Sequence, residues 1–241
     1  MKKSSFIKYT VGLASIAMIF TVFTSSAFAA QSTTGSSTAL TKIITRGDSA
    51  ITARISAMNT LETKVQAMKN LSSSEQSSLT QTLQTNVSNL TTLKSKLDAD
   101  TDITTARTDT KSITADYRIY ALVNPQVNLL AASDRVTTIG GMMTTLGTQL
   151  QTKITTAQSA GKNVTALQAA LADMTTQVSN AETQAQSVVS GISSLVPDQG
   201  NTTVATSNKT ALTTARTDIK TARTDLKTAR QDIKTIVQGL H

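Results

Sequence analysis

Three aspartates alternate at Asp98, Asp100 and Asp102, and a fourth follows at Asp109. Calcium takes roughly six to eight oxygen ligands, and a loop of about twelve residues supplies them from its first, third, fifth and twelfth positions, among others. The four aspartates stand at those positions. Ile103, however, occupies the place of the glycine that makes the loop's sharp turn, and the closing residue is Asp rather than a bidentate Glu. The competing reading is a helix junction with acidic caps, since a carboxylate at a helix start meets free amides and the positive end of the helix dipole. No metal is expected, and Asp98, Asp100, Asp102 and Asp109 are the calcium candidate.

Reactive chemistry is otherwise scarce. His241 is the only histidine and cysteine is absent. Zinc needs several such ligands, and a nucleophilic serine needs a base held beside it. No phosphate-cradling glycine loop is present. The remaining carboxylates stand singly on polar helix faces. The expectation is therefore a non-enzyme, with no catalytic residue and no cofactor.

Two features suit recognition instead. Asp116-Tyr-Arg-Ile-Tyr120 gathers Tyr117, Arg118 and Tyr120 next to Asn124-Pro125. Tyrosine and arginine dominate contact hot spots, but both rings would equally well plug the end of a helical bundle. The second feature is a ridge of Arg216, Lys220, Arg223, Lys227, Arg230 and Lys234, facing away from Asp218, Asp225 and Asp232. Arginine and lysine on one ridge repel slightly and favour a partner with acids in register. Asp48 and Glu62 on the first helix are the expected intramolecular match. Exposed pairs of this kind are each worth about 0–1 kcal/mol, so they select orientation more than they stabilise. An aspartate in every heptad and the lack of interleaved aromatics argue against nucleic acid.

These groups need helices to position them. Ala215-Arg-Thr-Asp-Ile-Lys-Thr is followed by two near-identical heptads, from Ala222 and from Ala229, and such a repeat marks a helix packed along one seam. Helices are expected over about 39–70, 73–98, 102–122, 125–160, 163–195 and 207–239. Their seams are Ile44, Ile51, Met58, Leu61, Val65 and Met68; then Leu79, Leu83, Leu90, Leu93 and Leu97; then Ile139, Met143, Leu146, Leu150, Ile154 and Ala157. The fifth helix runs from Val164 through Leu167, Leu171, Met174, Val178, Ala181, Ala185, Val188 and Ile192 to Leu195. The sixth alternates Leu212, Ile219, Leu226, Ile233 and Leu240 with Ala215, Ala222 and Ala229. Ser72 and Glu75 have capping-box spacing, Thr101 or Asp102 should cap the third helix, and Asn124-Pro125 should interrupt or restart the chain. Gly140-Gly141 is a weak point, at about 1 kcal/mol per glycine relative to alanine.

Residues 1–29 read as a signal peptide: Lys2, Lys3 and Lys8, an apolar run from Val11 to Phe23, and an Ala27-Phe-Ala29 cleavage site. The run is shorter than the ~20 residues of a membrane span, so no transmembrane anchor is expected after cleavage. Residues 30–38 should be a flexible stub and 39–241 a helical bundle domain. All four phenylalanines lie in the leader, so the remaining core must be built from aliphatic layers. Of the net charge of +8, three lysines belong to the leader, and residues 209–241 carry seven basic against three acidic groups. A polyanion argument therefore concerns the last helix alone.

The stretch Asp116-Tyr-Arg-Ile-Tyr-Ala-Leu-Val-Asn-Pro-Gln-Val127, with the leader before it and the Thr-Ala-Arg-x-Asp-Leu-Lys tail after it, resembles uncharacterised exported helical proteins of bacteria. The resemblance implies a bacterial source and an extended helical bundle, and supplies no activity or site. The expected fold is all-α, an elongated antiparallel bundle or coiled coil of five to six long helices. The expected function is a secreted or extracytoplasmic structural or protein-interaction protein, in the periplasm, at the cell surface or outside the cell, engaging a protein partner or itself through helical faces. The alternatives are a membrane-active protein inserting residues 125–143, and a binder of an anionic envelope polymer through the last helix.

Overall fold

The computed structural model describes the backbone of residues 26–241 and the side chains of residues 36–241. Six α-helices follow one another: α1 (Ser26–Gln66), α2 (Ser73–Asp98), α3 (Ile103–Ala115), α4 (Asn124–Ser159), α5 (Thr165–Ile192) and α6 (Thr202–Leu240), with a π-helical segment, Ile119–Val123, ahead of α4. No strand occurs among the described residues. The helices pack against each other, and no helix among the described residues is long and apolar enough to cross a membrane.

The chain divides into two units, Met1–Thr38 and Ala39–His241. The expected signal peptide lies outside the residues whose side chains are described. The α1 backbone is already helical from Ser26, so the polar stretch 31–38 is helical rather than an irregular stub. Serine and threonine cost only about half a kcal/mol each relative to alanine, and extending an existing helix carries no nucleation cost.

Local signals set most of the other boundaries. Ser72 and Glu75 form the reciprocal capping box: the Glu75 amide donates to Ser72 Oγ (3.2 Å) and the Ser72 amide to Glu75 Oε2 (2.9 Å). Asp102 caps α3, accepting from the amides of Thr104 and Thr105 at 2.8 and 2.9 Å. Asn201 caps α6 in the same way, so that helix begins at Thr202 instead of near residue 207.

The interruption expected at Asn124-Pro125 lies earlier. α3 stops at Ala115, and Arg118 adopts a left-handed conformation (φ 42°). The chain then runs through the π-helical segment into α4 without a break, with Pro125 in the first turn of α4, where its fixed φ suits the helix. A wider turn just ahead of a proline also relieves the clash of its ring with the carbonyl one turn back.

α1 lies against α2 and α3 through Gly47, beside Leu97 and Thr110. Its C-terminal half follows the π-helical segment and α4, with the Arg54 guanidinium 5.1 Å from the centre of the Tyr120 ring and Lys64 Nζ donating to Asn128 at 2.6 Å. Helix α5 packs on both α4 and α6. Ser133 Oγ donates to the Ala185 carbonyl (2.7 Å), while Gly147 faces Met174, so α4 and α5 are antiparallel. Ser187 meets Asp218 and Leu167 meets Gly239, so α5 and α6 are antiparallel as well.

One apolar cluster runs through all six helices. The expected seam of α2 is its buried set without exception, and that of α5 is buried from Val164 to Ile192, with Leu195 partly covered. In α1, Ile51, Met58, Leu61 and Val65 are buried and Ile44 partly so, with Met68 buried just past the helix end; in α6, Ile236 is buried and the expected Ile233 only partly so. The seam of α4 is met at Leu150 and Ile154, with Ala157 partly covered, and differs nearer the N-terminus. Its buried positions include Gln126, Ser133, Gly140, Gly147 and Ile154, spaced by seven, while Ile139 is 36% exposed and Met143 and Leu146 are half-buried. Small residues face α5 because the two helices approach too closely for larger ones. A Cβ on Gly140 would stand 2.6 Å from Glu182 Oε1.

Threonine fills many exposed helix positions. The hydroxyls of Thr60, Thr82, Thr91, Thr108 and Thr221 each donate to the carbonyl one turn back at 2.8–3.1 Å. Each helix thus absorbs the polar groups of its own surface.

Candidate interaction surface

The four aspartates of the calcium candidate are dispersed into separate structural tasks. Asp98 accepts from Lys94 (3.1 Å), Asp102 caps α3, and Asp109, buried, pairs with Lys96 at 2.9 Å. Burial, and then the nearby Asp109 charge, push the Asp100 carboxyl above the usual carboxylate range. The Thr105 hydroxyl and the two amides hold Asp102 below it. Among the described residues, no group of three or more His, Cys, Asp or Glu is placed to hold a metal ion.

Tyr117, Arg118 and Tyr120 go three ways. Tyr117 is partly buried against the core, and burial raises its hydroxyl pKa. Tyr120 is 51% exposed beneath the Arg54 guanidinium. Arg118 ties the bend to the α5–α6 loop: its Nε lies 2.9 Å from Asp198 Oδ2, and its Nη2 donates to Oδ1 at 3.2 Å. The Gly200 amide, with help from Arg118, holds the Asp198 carboxyl below the usual range.

Further polar residues hold the same junction. Gln126 Nε2, buried, donates to the Ile192 carbonyl at 2.6 Å, and Asn208 Nδ2 donates to the Val196 carbonyl at 2.9 Å. Asp134 Oδ1 accepts from the amides of Lys69 and Asn70, both at 2.6 Å, and so holds the α1–α2 turn. None of these roles is visible in the chain's local pattern. Gln126 and Asp134 look like ordinary polar helix residues, and their acceptors or donors lie more than sixty positions away. Segment 125–143, the insertion candidate, sinks Val127, Leu130 and Val136 into the core.

The basic ridge remains open. Arg216, Lys220, Arg223, Lys227, Arg230 and Lys234 are all exposed, and none forms an ion pair among the described residues. The expected match with the first helix is not made: Asp48 pairs with Lys94 at 3.0 Å, and Glu62 accepts from Gln84 at 2.7 Å. The reason is topological, since α1 lies along α2, α3 and α4. The opposite flank of α6 turns to α5. There Asp232 faces Asp173, and burial followed by that second carboxylate pushes Asp232 above the usual range. Between α4 and α6 lies a groove of about 580 Å³, lined by Pro125, Asn128, Leu129 and Ala132 on one side and by Arg216, Ile219, Lys220, Arg223, Thr224 and Lys227 on the other.

Compared with protein-family models, curated proteins and solved structures, the chain matches none. The class defined by the fold is an all-α protein of packed helices.

Proposed function

We propose that this chain is an exported, non-catalytic structural or protein-interaction protein of the bacterial envelope or extracellular space, an elongated antiparallel helical bundle that acts through its helical faces. The observation that carries the reading is the exposed basic ridge of α6, whose charges repeat with the heptad and lack acidic partners among the described residues. Charges on a coiled-coil flank normally select a neighbouring helix. The leader-like composition of residues 1–29 supports export.

The same unpaired cations favour a second reading, a binder of an anionic envelope polymer, whose affinity would fall steeply with salt. A bacterium producing the full chain tests the first. The recovered protein should begin at Ala30 by mass spectrometry and lie outside the cytoplasm. A photo-crosslinking residue at position 223 should give a discrete protein adduct, whereas one at Thr176, exposed on α5, should not. Uncleaved protein in the cytoplasm would sink export, and absence of any protein adduct would sink the interaction reading.

A further inference from the structure

The residues misplaced by helical periodicity mark a second surface. On α4, Pro125, Ala132, Ile139 and Leu146 are spaced by seven and share one flank of the helix. In an isolated coiled coil that flank is ordinarily charged. Here it is apolar throughout, and it stays partly uncovered among the described residues: Ile139 is 36% exposed, Met142 beside it 67% exposed, and Ala132 and Leu146 half-buried. Across the groove from Pro125 and Ala132, α6 presents Arg216 and Arg223; beyond the groove, Arg230 and then Val237, 40% exposed, continue that spacing along α6 as Ile139 and Leu146 continue it along α4. The two helices run in the same direction, so the apolar flank and the cationic flank that face each other in the groove continue in step along α4 and α6, each for about 30 Å.

We propose that the α4–α6 groove seats an acidic amphipathic helix of another protein, with its apolar seam on Ile139 and Leu146 and a carboxylate in each heptad on Arg216, Arg223 and Arg230. The assignment rests on the protein-interaction reading above and specifies its partner. Charge complementarity selects acid, and the apolar wall selects a helix with a seam over a flexible polyanion, which has nothing to bury there. A second copy of this chain is a poor occupant. Of its own acidic heptad positions, Asp218 and Asp232 are turned toward α5, and Asp48 is paired with Lys94.

The test uses the purified full chain and three fluorescent probes: a four-heptad helix with leucine seam and glutamate flanks, the same helix with lysine flanks, and polyglutamate of equal length. The glutamate helix should bind at least tenfold more tightly than either of the others. Combined Arg216→Glu, Arg223→Glu and Arg230→Glu should weaken it about tenfold and transfer preference to the lysine helix, a swap that a misfolded variant would not show. Ile139→Ser with Leu146→Ser should weaken both helices without changing the helical spectrum. Equal binding of polyglutamate or of polyphosphate would overturn the assignment in favour of a polyanion site. Undiminished binding to the arginine variant, or a groove-dependent dimer by light scattering, would overturn it too. An adduct at position 223 without binding of the glutamate helix would defeat the groove while leaving the interaction reading intact.

Discussion

Arg118 and Gln199 are the residues with side chains that adopt a left-handed backbone among the described residues, and Arg118 also holds an ion pair. A left-handed conformation costs a residue with a side chain about 1–2 kcal/mol, and the pairing with Asp198 offsets that cost. Arg118→Ala keeps the strain and strands a buried carboxylate; Arg118→Gly strands it but relaxes the backbone. Both should lower stability in urea titrations, glycine by about 1 kcal/mol less than alanine, and equal losses would mean that the backbone is unstrained. Asp232 makes a pH-dependent prediction. Its raised pKa means that its contribution is fully present below the ordinary carboxylate value and is lost as pH rises through the raised one. Asp232→Asn cannot ionise, so it should melt higher than the parent at pH 7 and show little gain at pH 3. Asp102 and Asp198 act in the opposite sense: their stabilisation is present above the ordinary value and disappears as pH falls through their lowered ones. A gain from Asp232→Asn that is equal at both pH values would exclude ionisation as its cause.

At the scale of the helices, close approach decides which residues are core. Gly47 on α1 sits against Leu97, which is fully buried on α2, and an added Cβ would strike it. Gly47→Ala should therefore destabilise despite alanine's better helix propensity, and Leu97→Ala should cost about 2–5 kcal/mol through the cavity it leaves. The two changes together should cost less than their sum, because the new methyl enters the space vacated by leucine. Gly141 has nothing near its missing Cβ, so Gly141→Ala should stabilise by up to about 1 kcal/mol. Thermal and urea denaturation of the four variants measures all of this, and additive losses at positions 47 and 97 would remove the steric account. The glycine pair expected to be a single weak point thus splits: Gly141 is open to improvement, while Gly140 lies under Glu182. The N-terminal part of the α4 seam was illegible for the same reason, while Leu150 and Ile154 lie buried as their spacing implies. Periodicity of apolar residues selects Ile139 and Leu146, whereas a neighbour at short range selects Ser133, Gly140 and Gly147.

Among the described residues, one continuous apolar cluster links α1 to α6, with no separate core under the α3–α4 junction. Unfolding should then be one cooperative event. Of the three tyrosines, Tyr117 and Tyr120 lie at that junction and Tyr9 in the leader, so tyrosine fluorescence of the chain starting at Ala30 reports the junction, while circular dichroism at 222 nm reports all the helices. The two denaturation curves should superimpose; a junction that melts first would show that the bend folds apart from the bundle. Salt should not weaken the fold, since few ion pairs hold it and the exposed cations of α6 repel one another.

Helix identity, most boundaries and the seams of α2 and α5 are written locally, because caps and heptads act over one to a few turns and need no knowledge of the neighbour. Where the chain breaks between α3 and α4, which face of α4 is buried, and which carboxylates meet cations depend on contacts between residues tens of positions apart. The heptad pattern matched Asp48 with the α6 arginines, and the lie of α1 along α2 paired it with Lys94 instead. That choice left the arginines without acids, and an apolar flank of α4 beside them.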